Sequence, residues 1–186
     1  MLGGSRLRAS VGVLAAVTAS LALAATAGAS SSDPAAIQAQ DACDPATFPA
    51  GLCQPHGSSG PTVTFDEANA GLAKDHALGA WRFHDDKVEV RAGQPVVIEH
   101  GRGGEVHTFT KVAQFGLGCV PELNFAVFGT ADVNPQCATD ADIFTADLVI
   151  PGLPGHAVPA AKLTRGTNRF ECMIHPWMHA TVVVRS

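Results

Sequence analysis

The sequence is short of positive charge. It has 12 Lys and Arg against 17 Asp and Glu. If the first 29 residues are removed, two arginines and no acids go with them, and the balance becomes 10 − 17 = −7. A chain this acidic is excluded from nucleic-acid binding, which needs a basic surface. A charged partner, if there is one, should be cationic. There is no glycine-rich phosphate loop and no Gly-x-Ser-x-Gly elbow, so those routes to nucleotide and acyl chemistry are closed. No internal repeat is present. After residue 25 no apolar run approaches the ~20 residues needed to cross a bilayer. Methionine is scarce: there are three, one of them the initiator. That argues against metal delivery through exposed Met-rich motifs.

What is present begins with an export signal. Arg6 and Arg8 precede an apolar run from Val11 to Ala25, and Ala27-Gly28-Ala29 fits a small-x-small cleavage rule. Residues 1–29 read as a secretory signal and the mature chain as starting near Ser30, an exported protein with no transmembrane segment after cleavage. Disulfides persist in such a compartment. Of five cysteines, four can pair and one is left over. Local pairing gives Cys43–Cys53 and Cys119–Cys137, and two other pairings of the same four remain open. With local pairing the odd thiol is Cys172.

Residues 30–61 are rich in Ala, Ser, Pro, Gly and Asp and read as a flexible N-terminal segment with one small disulfide loop. His56 within it reads as a solvated loop residue. Thr62 to Phe65 has strand character, and Glu67 to Leu78 reads as a short helix ending at Gly79. Two strand patterns flank Asp85-Asp86, and another runs from Val96 to His100. Gly101 to Gly104 is a bend that delivers Glu105-Val106-His107. Residues 113–160 form a long insertion, closed by Cys119 and Cys137 and containing a strand from Asp147 to Pro151. Short, regularly punctuated strands with few helix signals imply an all-β sandwich over residues 62–186.

The chemistry concentrates at Arg169-Phe170-Glu171-Cys172-Met173-Ile174-His175-Pro176-Trp177-Met178. A thiol, an imidazole and a thioether sit on one short connection between two strands, stiffened by Pro176. His107 opens an upstream strand. One cysteine, two histidines and a weak axial methionine form the donor set of a mononuclear blue-copper site. The arrangement Cys172-x-x-His175-Pro176-Trp177-Met178 resembles the ligand loop of the cupredoxins, with spacing most similar to amicyanin. Gly93 to Ile98 followed by Glu105-Val106-His107 is similar to the strand pair that brings the first histidine in plastocyanin-like domains.

The resemblance covers residues 81–112 and 164–185. It implies a Greek-key β-sandwich with its long insertion between the first-histidine strand and the ligand-loop strand. It also implies one copper ion held by His107, Cys172 and His175, with Met178 axial, cycling between Cu(I) and Cu(II). The implied function is that of a single-electron carrier, not an enzyme. Redox proteins would dock on an apolar patch formed by His175, Pro176 and Trp177, and the protein would be a monomer. Family members usually carry Asn after the first histidine to tie the ligand segments together. Here Thr108 stands in that place, and its hydroxyl is assigned the same tie. Copper oxidases flank the cysteine with histidines, whereas the flanks here are Glu171 and Met173. A binuclear site would need cysteine at position 176. A structural zinc site would not use a thioether. Two alternatives stand beside the carrier: copper storage or delivery, and an accessory domain without electron transfer. His179 follows Met178 directly on a strand, so its side chain should diverge to the surface. His100 is the candidate for a second site, with the expectation against it.

Overall fold

The computed structural model describes residues 33–55 and 60–186. The expected export signal and His56 lie outside them. The chain runs β1 (Ala35–Gln40), α1 (Phe65–Asp75), β2 (Arg82–His84), β3 (Lys87–Arg91), β4 (Val96–His100), β5 (His107–Thr108) and β6 (Thr110–Val112). It continues with α2 (Pro121–Phe128), α3 (Gln136–Thr139), β7 (Leu148–Val149), β8 (His156–Ala157), β9 (Gly166–Glu171) and β10 (His179–Arg185). One four-stranded sheet has the order β2-β1-β4-β8 and a second the order β3-β10-β9-β6, while β5 pairs with β7. The β1–β4 and β3–β10 pairs are parallel and the others antiparallel. This is the all-β sandwich that the sequence predicts.

Alternation builds the core. On β10 Ala180, Val182 and Val184 are buried, while their neighbours are partly or fully exposed. Ile37, Val96 and Ile98 of the first sheet join Phe170 and Val182 of the second in one buried cluster. Phe109 bridges the sheets. It stacks on Phe170 at 4.3 Å and meets Phe83 edge-on at 5.1 Å. Aromatic pairs of this geometry contribute roughly 0.5–1.5 kcal/mol beyond their buried area.

The flexible segment expected at residues 30–61 is corrected by β1, which lies inside a sheet with β2 on one side and β4 on the other. Ala35 to Gln40 alternates along its length: Ile37 and Ala39 are fully buried, and Gln38 and Gln40 are only partly so. Alanine and glutamine are weak strand formers, so that period is a weak strand signal. The Cys43–Cys53 loop carries Phe48 onto Trp81, with ring centroids 6.2 Å apart. The helix begins two residues earlier than expected because Thr64 and Glu67 form a capping box. It ends where His76 turns left-handed, at φ 56°. The 113–160 stretch is more than a cover over one face. Its β7 pairs with β5 beside His107, and its β8 edges the first sheet.

Candidate metal centre

The ladder of β9 and β10 runs out at the pair Glu171–His179, and residues 172–178 form the loop between them. Cys172 N donates to Met178 O at 3.1 Å, and Met178 N donates to His175 O at 2.9 Å. The two ends of the loop are therefore pinned together. Gly118 crosses beside it: Cys119 N donates to Met173 O at 2.5 Å, and a Cβ at Gly118 would come within 2.6 Å of the same oxygen. His107 arrives from the other strand system on β5. The Thr108 hydroxyl oxygen accepts Met173 N–H at 2.7 Å. Thr108 thus makes the tie between ligand segments that the sequence assigned to it.

His107, Cys172 and His175 come together as one buried group. Cys172 Sγ lies 3.6 Å from His175 Nδ1 and 4.0 Å from His107 Nδ1. The sulfur also accepts N–H groups from Thr108 and His175, each at 3.4 Å. His107 and Cys172 are fully buried, and His175 is 6% exposed. Both disulfides form as the local pairing suggested, and Cys172 is free. Met178 is buried in the same core cluster as Cys172.

This geometry suits a first-row ion. With bonds of about 2.0 Å to nitrogen and 2.3 Å to sulfur, spread trigonally, a sulfur–nitrogen spacing of about 3.7 Å is required. The two observed spacings bracket that value. The electrostatics agree. Burial alone would push the Cys172 thiol up, but the hydrogen bonds and charges of His107 and His175 hold it well below its ordinary range. Burial alone would lower His175, yet its bonds to Cys172 and Glu105 push it up to about 10. Both shifts favour the charged forms of sulfur and imidazole, and a bound cation would take over the role of the ring protons.

The outer nitrogens are also held. His107 Nε2 donates to Asp41 Oδ2 at 3.1 Å, and His175 Nε2 lies 2.8 Å from Glu105 Oε2. Glu105 Oε2 also accepts Trp81 Nε1–H at 2.7 Å. Asp41 caps the end of β1 and accepts N–H bonds from Cys43, Gly104 and Glu105. Gly103, at φ 115°, makes this possible, because a Cβ there would collide with the Asp41 carboxylate. Neither carboxylate was singled out from sequence. Asp41 sat in the segment read as flexible, and Glu105 read as a strand residue. The only signal was the Gly103-Gly104 pair ahead of His107, which permits a close backbone approach.

Of the three residues expected at the docking patch, His175 is nearly buried. Pro176 is buried and Trp177 partly so. His175 faces an apolar cavity of about 550 Å³ whose walls include Phe48, Phe65, Leu72, Trp81, Ile174 and Trp177. His179 stays outside the metal group. Its Nε2 is bonded to Pro176 O at 2.9 Å, and its ring stacks on Phe115 at 4.0 Å. His100 lies near Asp41 and His107. Its Nε2 faces Glu105 O at 2.9 Å and must donate a proton there, so that nitrogen is not available as a ligand.

No protein-family model matches the chain, and no curated protein matches it in sequence. Among solved structures the chain is similar to a mutant plastocyanin of fern, at 21% identity and TM-score 0.33. The match covers 56% of this chain and 89% of that one. Oxidised plastocyanin from Dryopteris crassirhizoma matches at 20% identity and TM-score 0.35, over 56% of this chain and 89% of that one. A purple cupredoxin from Nitrosopumilus maritimus matches at 16% identity and TM-score 0.36, over 63% of this chain and 93% of that one. No helix among the described residues is long and apolar enough to cross a membrane.

Proposed function

We propose that this chain is an exported, cupredoxin-like type 1 copper protein that carries single electrons between redox partners. The observation that supports it is the buried Cys172 sulfur, free of any disulfide, with one imidazole Nδ1 at 3.6 Å and another at 4.0 Å. His107, Cys172 and His175 would hold the ion, and Met178 would be a weaker fourth donor. Copper, when bound there, would supply the Cu(II)/Cu(I) couple.

The chain's own part is to hold those donors still. The sheet positions His107 through β5, the pinned loop positions Cys172 and His175, and Thr108 joins the two. Two N–H groups on the sulfur disperse thiolate charge and fix its direction. A cage bound at both ends by backbone hydrogen bonds resists changing its ligand number, which suits electron transfer better than substrate turnover. Burial of His107 and Cys172 also argues against delivery, since a donor protein must expose its ligands to hand metal over. Redox partners would approach over the apolar face at His175 and Trp177.

Titration with Cu(II) tests the reading. An intense thiolate-to-copper charge-transfer band in the visible should appear at one equivalent. It should vanish in Cys172→Ser and persist in Cys43→Ser. A colourless product, or a band that survives loss of Cys172, refutes the proposal.

A further inference from the structure

Each imidazole of the group carries a carboxylate on its outer nitrogen: Asp41 on His107 at 3.1 Å and Glu105 on His175 at 2.8 Å. They come from different parts of the chain, the end of β1 and the bend before β5. We propose that Asp41 and Glu105 are paired positioning residues that bias the centre toward its oxidised, more positive state, and so set a low reduction potential. This rests on the copper reading above.

The environment of the two anions carries the inference. Asp41 is fully buried, and Glu105 is 8% exposed. Their other hydrogen-bond partners are three backbone N–H groups for Asp41, which also has His100 Nε2 at 3.8 Å, and the Trp81 indole for Glu105. Among the described residues, no Lys or Arg forms an ion pair with either one. A buried carboxylate needs a positive counterpart. Here a cation held by the other nitrogen of each ring would be that counterpart. The ring N–H would be a stronger donor to its carboxylate with the more positive ion, and a weaker one with the reduced ion. Both carboxylates therefore discriminate between the two oxidation states in the same direction.

The same contacts fix the rings. With Nε2 committed outward, each histidine must present Nδ1 to the sulfur, which is what the two spacings show. The Asp41–His100–His107 group is accordingly a hydrogen-bonded support and not a second metal site, since His100 Nε2 is committed to Glu105 O.

Removing a carboxylate partner of a ligating histidine costs roughly 10- to 100-fold in metal affinity. If that loss falls on Cu(II) and spares Cu(I), each tenfold change raises a one-electron potential by about 59 mV. The test is Glu105→Gln and Asp41→Asn in the full chain. Potentials would be measured by spectroelectrochemical titration, with Cu(II) and Cu(I) affinities measured separately. Glu89→Gln, at an exposed carboxylate paired with Arg185, controls for generic loss of charge.

The expected result is at least a tenfold loss of Cu(II) affinity in each site variant, unchanged Cu(I) affinity and a correspondingly higher potential. The control should not move. An unchanged potential in Glu105→Gln, with the visible band intact, overturns the inference and leaves the copper reading standing. Absence of the band in the unmodified protein overturns both. Asp41 also holds three backbone N–H groups; if its variant does not fold, Glu105→Gln decides alone. Zn(II) affinity and the melting temperature of the metal-free protein supply the structural readout. A merely structural carboxylate would lower those two and leave the potential where it was.

Discussion

Glu171 offers a quantitative test of how dry this region is. It is fully buried between Phe170 and Cys172. Its Oε2 accepts Gly116 N–H at 3.0 Å, and its Oε1 has no partner. Burial is the main cause that pushes its carboxyl from 4.5 up to about 8; the Gly116 N–H opposes this and the Cys172 charge adds to it. The metal-free folded state therefore keeps the Glu171 proton over a range where the unfolded chain releases it. Its stability is intact below pH 4.5, falls as pH rises through the window from 4.5 to about 8, and levels off above that. Each pH unit inside the window costs about 1.4 kcal/mol, so about 3 kcal/mol has been lost by pH 7.

Glu171→Gln keeps the shape and removes the titration. The difference in unfolding free energy between variant and native protein should shift by about 3 kcal/mol in the variant's favour between pH 4.5 and 7. For a domain of this size that is about 6–12 °C in relative Tm. Thermal unfolding followed by circular dichroism, on both proteins in chelator across pH 4.5 to 8, measures it. Cys172, His175 and Asp41 titrate in both proteins and largely cancel in the difference. Parallel pH profiles for the two proteins would refute the burial argument.

Three further substitutions probe the frame of the site. Thr108→Val strips the acceptor from the buried Met173 N–H and should cost about 1–3 kcal/mol; Thr108→Ser should recover most of it, as read by chemical denaturation. Ile37→Ala should cost about 2–5 kcal/mol, because Ile37 is fully buried on a central strand; a loss under ~0.5 kcal/mol, the usual range for a surface position, would return that segment to a loose tail. Gly103→Ala should abolish copper loading or folding, since φ 115° is strained for alanine and the new methyl meets the Asp41 carboxylate; wild-type loading and melting would disprove the close approach.

The parts of this centre that could be read from sequence were the local ones. Cys172, His175 and Met178 fall within seven residues, and the β-branched run of β10 and the alternation of β9 flag the strands that frame them. The leftover cysteine followed from parity and from pairing at short range. His107 was found because a histidine at a strand start completed a known donor set. The residues around that set depend on pairings far apart in sequence. Asp41 reaches His107 across 66 positions, and β1 finds β4 across about the same span. Ala-Ala-Ile-Gln-Ala-Gln announces its entry into a sheet only through a short alternation, because its strand propensity is low. Once β1 is inserted, its end delivers a carboxylate behind the ligand histidine. The metal group is therefore coupled to an N-terminal strand that composition alone marks as dispensable. Starting the chain at Asp41 should remove all of the β2–β1–β4 pairing, leave Asp41 on a frayed end, and cost copper affinity along with stability. A truncated protein that melts and loads copper as the full chain does would break that coupling.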